Sequence, residues 1–221
     1  MTEALSKSHK RWILAATVLG SSLTFIDGSA LGVALPSIQR ELGAGPAAVQ
    51  WVSNAYLLTL GALVLIGGAA GDRFGRRLVF LIGVALFALA SIACALSPTV
   101  QLLIAGRAVQ GVGAALLTPG ALAVIGAAFP PEERGKAFGT WAGAGALFGM
   151  IGPLVGGWLA DAADWRFIFW INVPLAVLAA CASAELLLRH CTRRFGGITG
   201  DVFGGLAETA ATTALVALSL G

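Results

Sequence analysis

Four ionisable side chains fall inside apolar stretches of this sequence: Asp27, Arg107, Glu185 and Glu208. A charge within a membrane span is costly, so each is a functional candidate by default. Asp27 lies nine residues before Pro36, which sets it ~13 Å inside the first apolar stretch at the helical rise. Arg107 lies seven residues beyond Val100, ~10 Å inside the fourth stretch. Counted from one membrane face, the two depths are similar. Burial disfavours the charge of a carboxylate and a neighbouring guanidinium favours it. An acid balanced between these effects can load and release a proton. The same pair can equally be a static tie between two helices. Glu185 stands four residues before Arg189, where an i,i+4 pair or snorkelling near a membrane surface accounts for it. No role can be assigned to Glu208.

Other chemistry is poorly supplied. His9 and His190 both sit in polar segments, so no Ser/His pair or His-metal site forms inside a span, and an intramembrane hydrolase or metalloenzyme is unsupported. Cys94, Cys181 and Cys191 are too few and too scattered for a disulfide framework, and they read as free thiols.

The elements that must position Asp27 and Arg107 follow from composition. Of 221 residues, 57% are apolar and 11% charged, with mean hydropathy +0.87. Soluble domains carry about 25% charged residues, so a soluble enzyme, a nucleic-acid binder and a disordered chain are all excluded. Seven apolar stretches span roughly 12–35, 49–70, 78–96, 100–129, 137–160, 167–188 and 202–221. Each is long enough to cross a ~30 Å hydrocarbon core as a helix. Lipid cannot satisfy open backbone groups, so helix is the required geometry. Residues 1–11 form an N-terminal tail, 12–188 a six-helix transmembrane bundle, 189–201 a polar linker and 202–221 a seventh transmembrane helix. Lys10-Arg11 ahead of an apolar stretch resembles a signal peptide, but no small-residue cleavage site follows, and the stretch reads as the first helix of the mature chain. Eleven of fourteen Lys and Arg residues fall on one side of this topology, with Arg40 and Arg166 on the other and Arg107 inside a span. The sidedness predicts a cytoplasmic N-terminus.

Glycine is abundant, 30 residues in all, and patterned. Gly145, Gly149, Gly152 and Gly156 fall within a ~60° arc of the fifth helix as two G-x-x-x-G pairs, a pattern that lets helices approach closely. Gly106, Gly113 and Gly120 repeat every seven residues on the fourth. Pro119 and Pro153 are expected to interrupt and kink these helices. Static tight packing and a smooth face for rocking both fit the glycine pattern. The loop from Gly68 to Arg77 holds Asp72, Arg73, Gly75 and Arg76 in a fixed spacing. It reads either as a topogenic basic loop or as a charge clamp between helix ends.

Taken in order, these motifs resemble the N-terminal half of a major facilitator superfamily transporter. Within it, they resemble the fourteen-helix drug:proton antiporters of the EmrB/QacA type. Gly68–Arg77 resembles the superfamily signature between helices two and three. Leu103-x-x-x-Arg107-x-x-Gln110-Gly111-x-Gly113 resembles the fourth-helix motif linked to proton coupling. Gly152-Pro153-Leu154-Val155-Gly156-Gly157 resembles the fifth-helix antiporter motif, displaced at its start, where Phe148 and then Gly149 stand. Phe25-Ile26-Asp27-Gly28-Ser29 through Pro36 resembles the first-helix motif, with Ser29 and Gly32 replacing a usual threonine and asparagine. Trp165 through Pro174 resembles the sixth-helix entry.

The resemblance implies two inverted three-helix repeats, with helices one and four in equivalent positions lining a cavity. It implies that Asp27 carries a proton while Arg107 tunes it, and that the proton gradient, with no cofactor, drives export of a lipophilic, often cationic substrate. Asp72, Arg73, Arg76 and Arg77 would form a cytoplasmic gate. Partners implied are the lipid bilayer, protons, substrate, and either a missing C-terminal half or a second copy of the chain. Such a transporter is complete only with twelve to fourteen helices, so the chain is expected to be truncated. Another solute carrier of the superfamily and a non-transporting scaffold are the alternatives.

Overall fold

The computed structural model describes residues 7–162 and 164–182. Glu185, Glu208, Cys191, the 189–201 linker and the expected seventh helix lie outside the described residues. The elements are all helical: α1 (Lys7–Leu42), α2 (Pro46–Phe74), α3 (Arg76–Ala95), α4 (Val100–Ala128), α5 (Pro131–Ala162) and α6 (Phe167–Trp170). Helix α6 opens an apolar helical segment, Phe167–Ala182. Among the described residues five helices, α1 to α5, are long and apolar enough to cross a membrane.

Punctuation between helices follows local chemistry. Gly45 precedes Pro46, which fits the first turn of α2 because its missing N–H would have no helical partner. Gly75 takes φ +99° between α2 and α3, a conformation that favours glycine. Thr99 caps α4, its hydroxyl accepting from the Leu102 N–H at 3.4 Å. Only three residues separate Leu96 from Val100, so α3 and α4 form an antiparallel hairpin. Beyond α6, Pro174 cannot donate to the Trp170 carbonyl, which accounts for the turn at Ile171.

Two expectations are corrected. The sequence ends the first span at Leu35, yet α1 runs through Pro36 to Leu42. One lost N–H does not stop it, because Ile38 beyond the proline is fully buried. The stop comes at Gly43, whose φ of +59° closes a C-terminal cap in which Ala44 N–H donates to the Gln39 carbonyl at 3.2 Å. Likewise Pro119 and Pro153 lie inside α4 and α5 without interrupting them.

Apolar layers stack along the bundle. Ile13, Ile125, Phe129 and Ala137 pack at the end holding the α1 N-terminus. Leu23, Tyr56, Phe87, Leu117 and Ala176 form the next layer. Leu31, Ile38, Val52, Leu103, Trp165 and Phe169 form the layer at the opposite end. Glycine permits the closest helix contacts. The α4 seven-residue repeat faces α3: a Cβ on Gly106 would meet Cys94 Sγ at 2.7 Å, one on Gly113 the Phe87 N at 2.7 Å, and one on Gly120 the Phe80 Cβ at 3.4 Å. Gly111 faces α2 instead, against Thr59 Oγ1 and the Tyr56 carbonyl.

Gly111→Ala therefore drives a methyl into backbone and is expected to cost roughly 1–3 kcal/mol, the usual range for overpacking. Gly149→Ala enters open space and is expected to leave the thermal melting midpoint unchanged. Melting curves of the two variants in detergent check the contrast.

Candidate functional site

A polar layer lies between the second and third of these apolar layers. Helices α1, α3 and α4 and the Phe167–Ala182 segment each contribute from one turn between their apolar contacts. Asp27 follows Leu23 and precedes Ala30 and Leu31 on α1; Ser91 lies between Phe87 and Cys94 on α3. Arg107 and Gln110 lie between Leu103 and Ala114 on α4, and Asn172 lies between Phe169 and Ala176. All five polar side chains are buried.

The bonds converge on Asp27. Arg107 Nη1 donates to Asp27 Oδ2 at 2.6 Å. The other carboxylate oxygen, Oδ1, accepts from Gln110 Nε2 at 3.0 Å and from Asn172 Nδ2 at 3.0 Å. Those same amide nitrogens donate to Ser91 Oγ, at 2.7 Å and 3.1 Å. Arg107 is held from every side. Its Nη1 also donates to Gln110 Oε1 at 2.7 Å, and its Nε donates to the Val52 carbonyl at 3.2 Å. Its guanidinium lies over the Tyr56 ring at 4.3 Å and the Phe169 ring at 5.8 Å. A buried ion pair is tolerable only when its remaining donors and acceptors are satisfied. Here two amides and a backbone carbonyl do that. One polar atom of this layer is left over: among the described residues, Asn172 Oδ1 is buried without a hydrogen-bond partner.

The predicted pairing of Asp27 with Arg107 is thus met in the geometry, and Gln110 joins it. Ser29 and Gly32, where the sequence departs from the related motif, stand apart from the carboxylate. The Ser29 hydroxyl donates back to the Phe25 and Ile26 carbonyls. Sequence reasoning does not single out Asn172, Ser91 and Tyr56, because it screens apolar stretches for ionisable groups alone. Asn172 is legible only as an amide two residues before a proline in an apolar run. Ser91 carries no comparable signal.

The Gly68–Arg77 loop gathers charge at one end. Arg76 donates from Nε to Asp72 Oδ1 at 3.1 Å and from Nη1 to the Ala123 carbonyl of α4 at 3.1 Å. One side chain therefore ties the ends of α2, α3 and α4. Arg73 sits over the Phe74 ring at 5.7 Å, and Arg77 lies half-buried in the first turn of α3. At the same end, Lys10 Nζ meets Glu133 Oε2 at 2.7 Å and joins α1 to α5.

Helix α5 packs on α1 through its glycines. A Cβ on Gly145 would meet Phe25 Cε2 at 2.6 Å, one on Gly152 would strike the Ser29 hydroxyl, and one on Gly156 would meet the Ala30 carbonyl at 2.7 Å. Gly157 lies against Val33, whereas Gly149 has nothing close. Pro153 is exposed.

At the opposite end a second cluster ties α1 to the α5–α6 connection. Arg166 bonds Glu41 and meets Asp164 at 3.3 Å, and Trp165 Nε1 donates to Glu41 Oε2 at 2.7 Å. Burial works against the Arg166 charge, but its carboxylate partners outweigh this and hold its pKa above the ordinary guanidinium value.

A family model described as Major Facilitator Superfamily matches residues 17–215. The chain is 41% identical over 184 residues to the uncharacterized MFS-type transporter Rv1250 of Mycobacterium tuberculosis, covering 82% of this chain and 32% of that protein. It is 43% identical over 169 residues to the puromycin resistance protein pur8 of Streptomyces alboniger, covering 76% and 34%. Among solved structures, a bacterial homolog of the human lysosomal transporter Spinster, inward-facing and occupied, superposes with TM-score 0.69 at 21% identity, covering 83% of this chain and 45% of that one. The chain spans about a third of the length of the curated relatives it matches.

Proposed function

We propose, from the premise that the chain belongs to the Major Facilitator Superfamily, that it is the N-terminal part of a drug:proton antiporter of the fourteen-helix group. The observation that carries this reading is the buried Asp27–Arg107 pair at 2.6 Å in the middle of the bundle. A carboxylate there costs too much to be idle, and one guanidinium and two side-chain amides are spent on satisfying it. Relatives that include a puromycin resistance protein point to drug-like cargo.

In this reading Asp27 is sealed when charged, since no part of it reaches solvent. Protonation awaits a state in which the bundle opens. The proton then weakens the tie to Arg107 and frees α1 to move relative to α4. Helices one to three and four to six act as inverted repeats, which sets α1 and α4 in equivalent positions. The end carrying Lys10, Arg73, Arg76 and Arg134 faces the cytoplasm, as the positive-inside bias requires. The Asp72–Arg76 pair with the Ala123 carbonyl closes that face, and the glycine contacts of α5 with α1 allow it to reopen. The rest of a cavity for a lipophilic, often cationic substrate comes from parts of the transporter outside the described residues.

Substrate-driven acidification in vesicles carrying the full gene product tests this. Asp27→Asn is expected to abolish proton-coupled export while leaving the protein in the membrane. Undiminished coupled export by that variant would refute the assignment. Substrate moving in the same direction as protons would instead mark another solute carrier of the superfamily.

The gate gives a second expected result. Asp72→Asn removes the carboxylate that holds Arg76. Cysteine probes near the α2–α3 turn should react faster and transport should slow. Unchanged labelling and unchanged rate would exclude a gating role.

A further inference from the structure

Asn172 combines two observations that the proton-carrier reading does not use. Its Nδ2 donates to Asp27 Oδ1 and to Ser91 Oγ, while its Oδ1 is buried with no hydrogen-bond partner among the described residues. Buried polar atoms are nearly always bonded, so such an exception calls for a physical reason. The neighbouring amide differs. Gln110 Oε1 accepts from Arg107 Nη1 at 2.7 Å, so turning that amide would set an NH₂ against a guanidinium. Gln110 is held through both ends of its amide, whereas Asn172 is held through its nitrogen alone among the described residues.

Counting donors and acceptors shows what a turn would accomplish. With Asp27 charged, Oδ1 accepts from two amide nitrogens. With Asp27 protonated on Oδ1, the new O–H is a donor aimed at a donor. In the charged state the Ser91 oxygen accepts from both amides, and its hydroxyl still carries one proton to donate. Rotating the Asn172 amide half a turn exchanges Nδ2 and Oδ1. The oxygen then occupies the position 3.0 Å from Asp27 Oδ1 and 3.1 Å from Ser91 Oγ. It can accept from the protonated carboxyl and from the Ser91 hydroxyl together.

We propose that Asn172 reports the protonation state of Asp27 to the sixth helix, by turning its side-chain amide when the carboxylate takes a proton. The proton comes from water when the site opens, an O–H bond forms on Asp27 Oδ1, and Arg107 keeps its charge. The other titratable or charged groups facing this contact are Arg107 of α4, Tyr56 of α2 and Cys94 of α3. The Tyr56 ring covers the guanidinium and Cys94 Sγ lies 3.9 Å from Gln110 Oε1. The inference rests on Asp27 being the proton carrier.

Infrared difference spectra between acid and alkaline pH, recorded on the full chain in lipid, test it. The chain contains two asparagines, Asn54 and Asn172, and Asn54 is exposed on α2. Labelling the asparagine side-chain carbonyls with carbon-13 and comparing the labelled parent with labelled Asn172→Gln isolates the Asn172 contribution. A protonated carboxyl band should appear on acidification and be lost in unlabelled Asp27→Asn. An isotope-sensitive amide carbonyl band should fall in frequency in step with it, because Oδ1 passes from no partner to two. In Asn172→Leu the Asp27 band should rise in frequency as its O–H loses an acceptor. An Asp27 band with no isotope-sensitive change overturns the Asn172 role and leaves the carrier standing. The labelled parent protein decides between these outcomes even where the leucine variant fails to fold. No Asp27 band at any pH overturns both.

Discussion

Arg107→Leu is expected to lower the unfolding free energy by roughly 3–5 kcal/mol, the penalty for stripping one partner from a buried ion pair. The cause is less the lost attraction than the carboxylate left behind. Asp27 has no route to water, and Gln110 loses the donor that fixes its amide. The double variant Asp27→Leu/Arg107→Leu should recover most of that loss, because apolar pairs of similar volume replace buried ion pairs at little cost. Export should remain lost in the double variant. Chemical unfolding of the two single variants and the double variant yields the coupling energy. A double variant as unstable as Arg107→Leu alone would show that the pair is not the source of the penalty.

Gly156→Val is expected to have the second largest effect. The Cβ position at Gly156 already lies 2.7 Å from the Ala30 carbonyl and 2.8 Å from its Cα and Cβ. Backbone on the α1 side cannot step aside, so the two helices must part. Overpacking typically costs about 1–3 kcal/mol, but here the same displacement drags on α1, which carries Asp27. Transport should fall further than stability alone predicts. A short cross-linker between Val33→Cys and Gly157→Cys reads the separation, since those positions touch in the parent structure. Cross-linking should succeed in the parent background and fail when Gly156→Val is added. Equal yields in both would mean that the helices absorb the branch elsewhere.

Much of this architecture is legible in the residues. Apolar runs separated by short polar turns locate α2 to α5 within a few residues, because lipid permits only one backbone geometry. The Asp27–Arg107 encounter is legible as well, from depth along two stretches. What is not legible has physical reasons. The extension of α1 past Pro36 depends on burial of Ile38 against the far apolar layer, and that is a tertiary fact. The pairing of glycine faces is equally invisible: spacing shows that Gly106, Gly113 and Gly120 share a face, but not that the face belongs to α3. The neutral partners of Asp27 stay hidden because a hydroxyl or an amide gives no hydropathy signal comparable to a charge. Ser91 matters only because side chains from α1, α4 and the sixth helix converge on its height.

The spread of the polar layer along the chain bears on how the protein is made. Asp27 and Arg107 are 80 residues apart, and Asp27 and Asn172 are 145 apart. At roughly 5–20 residues per second of synthesis, the first helix leaves the ribosome several seconds before its guanidinium, and longer before its second amide. An unpaired acid in mid-membrane costs ~2.5–3.5 kcal/mol on insertion scales. Helix α1 is therefore a poor candidate for independent release into lipid, and its assembly is bound to the arrival of the fourth.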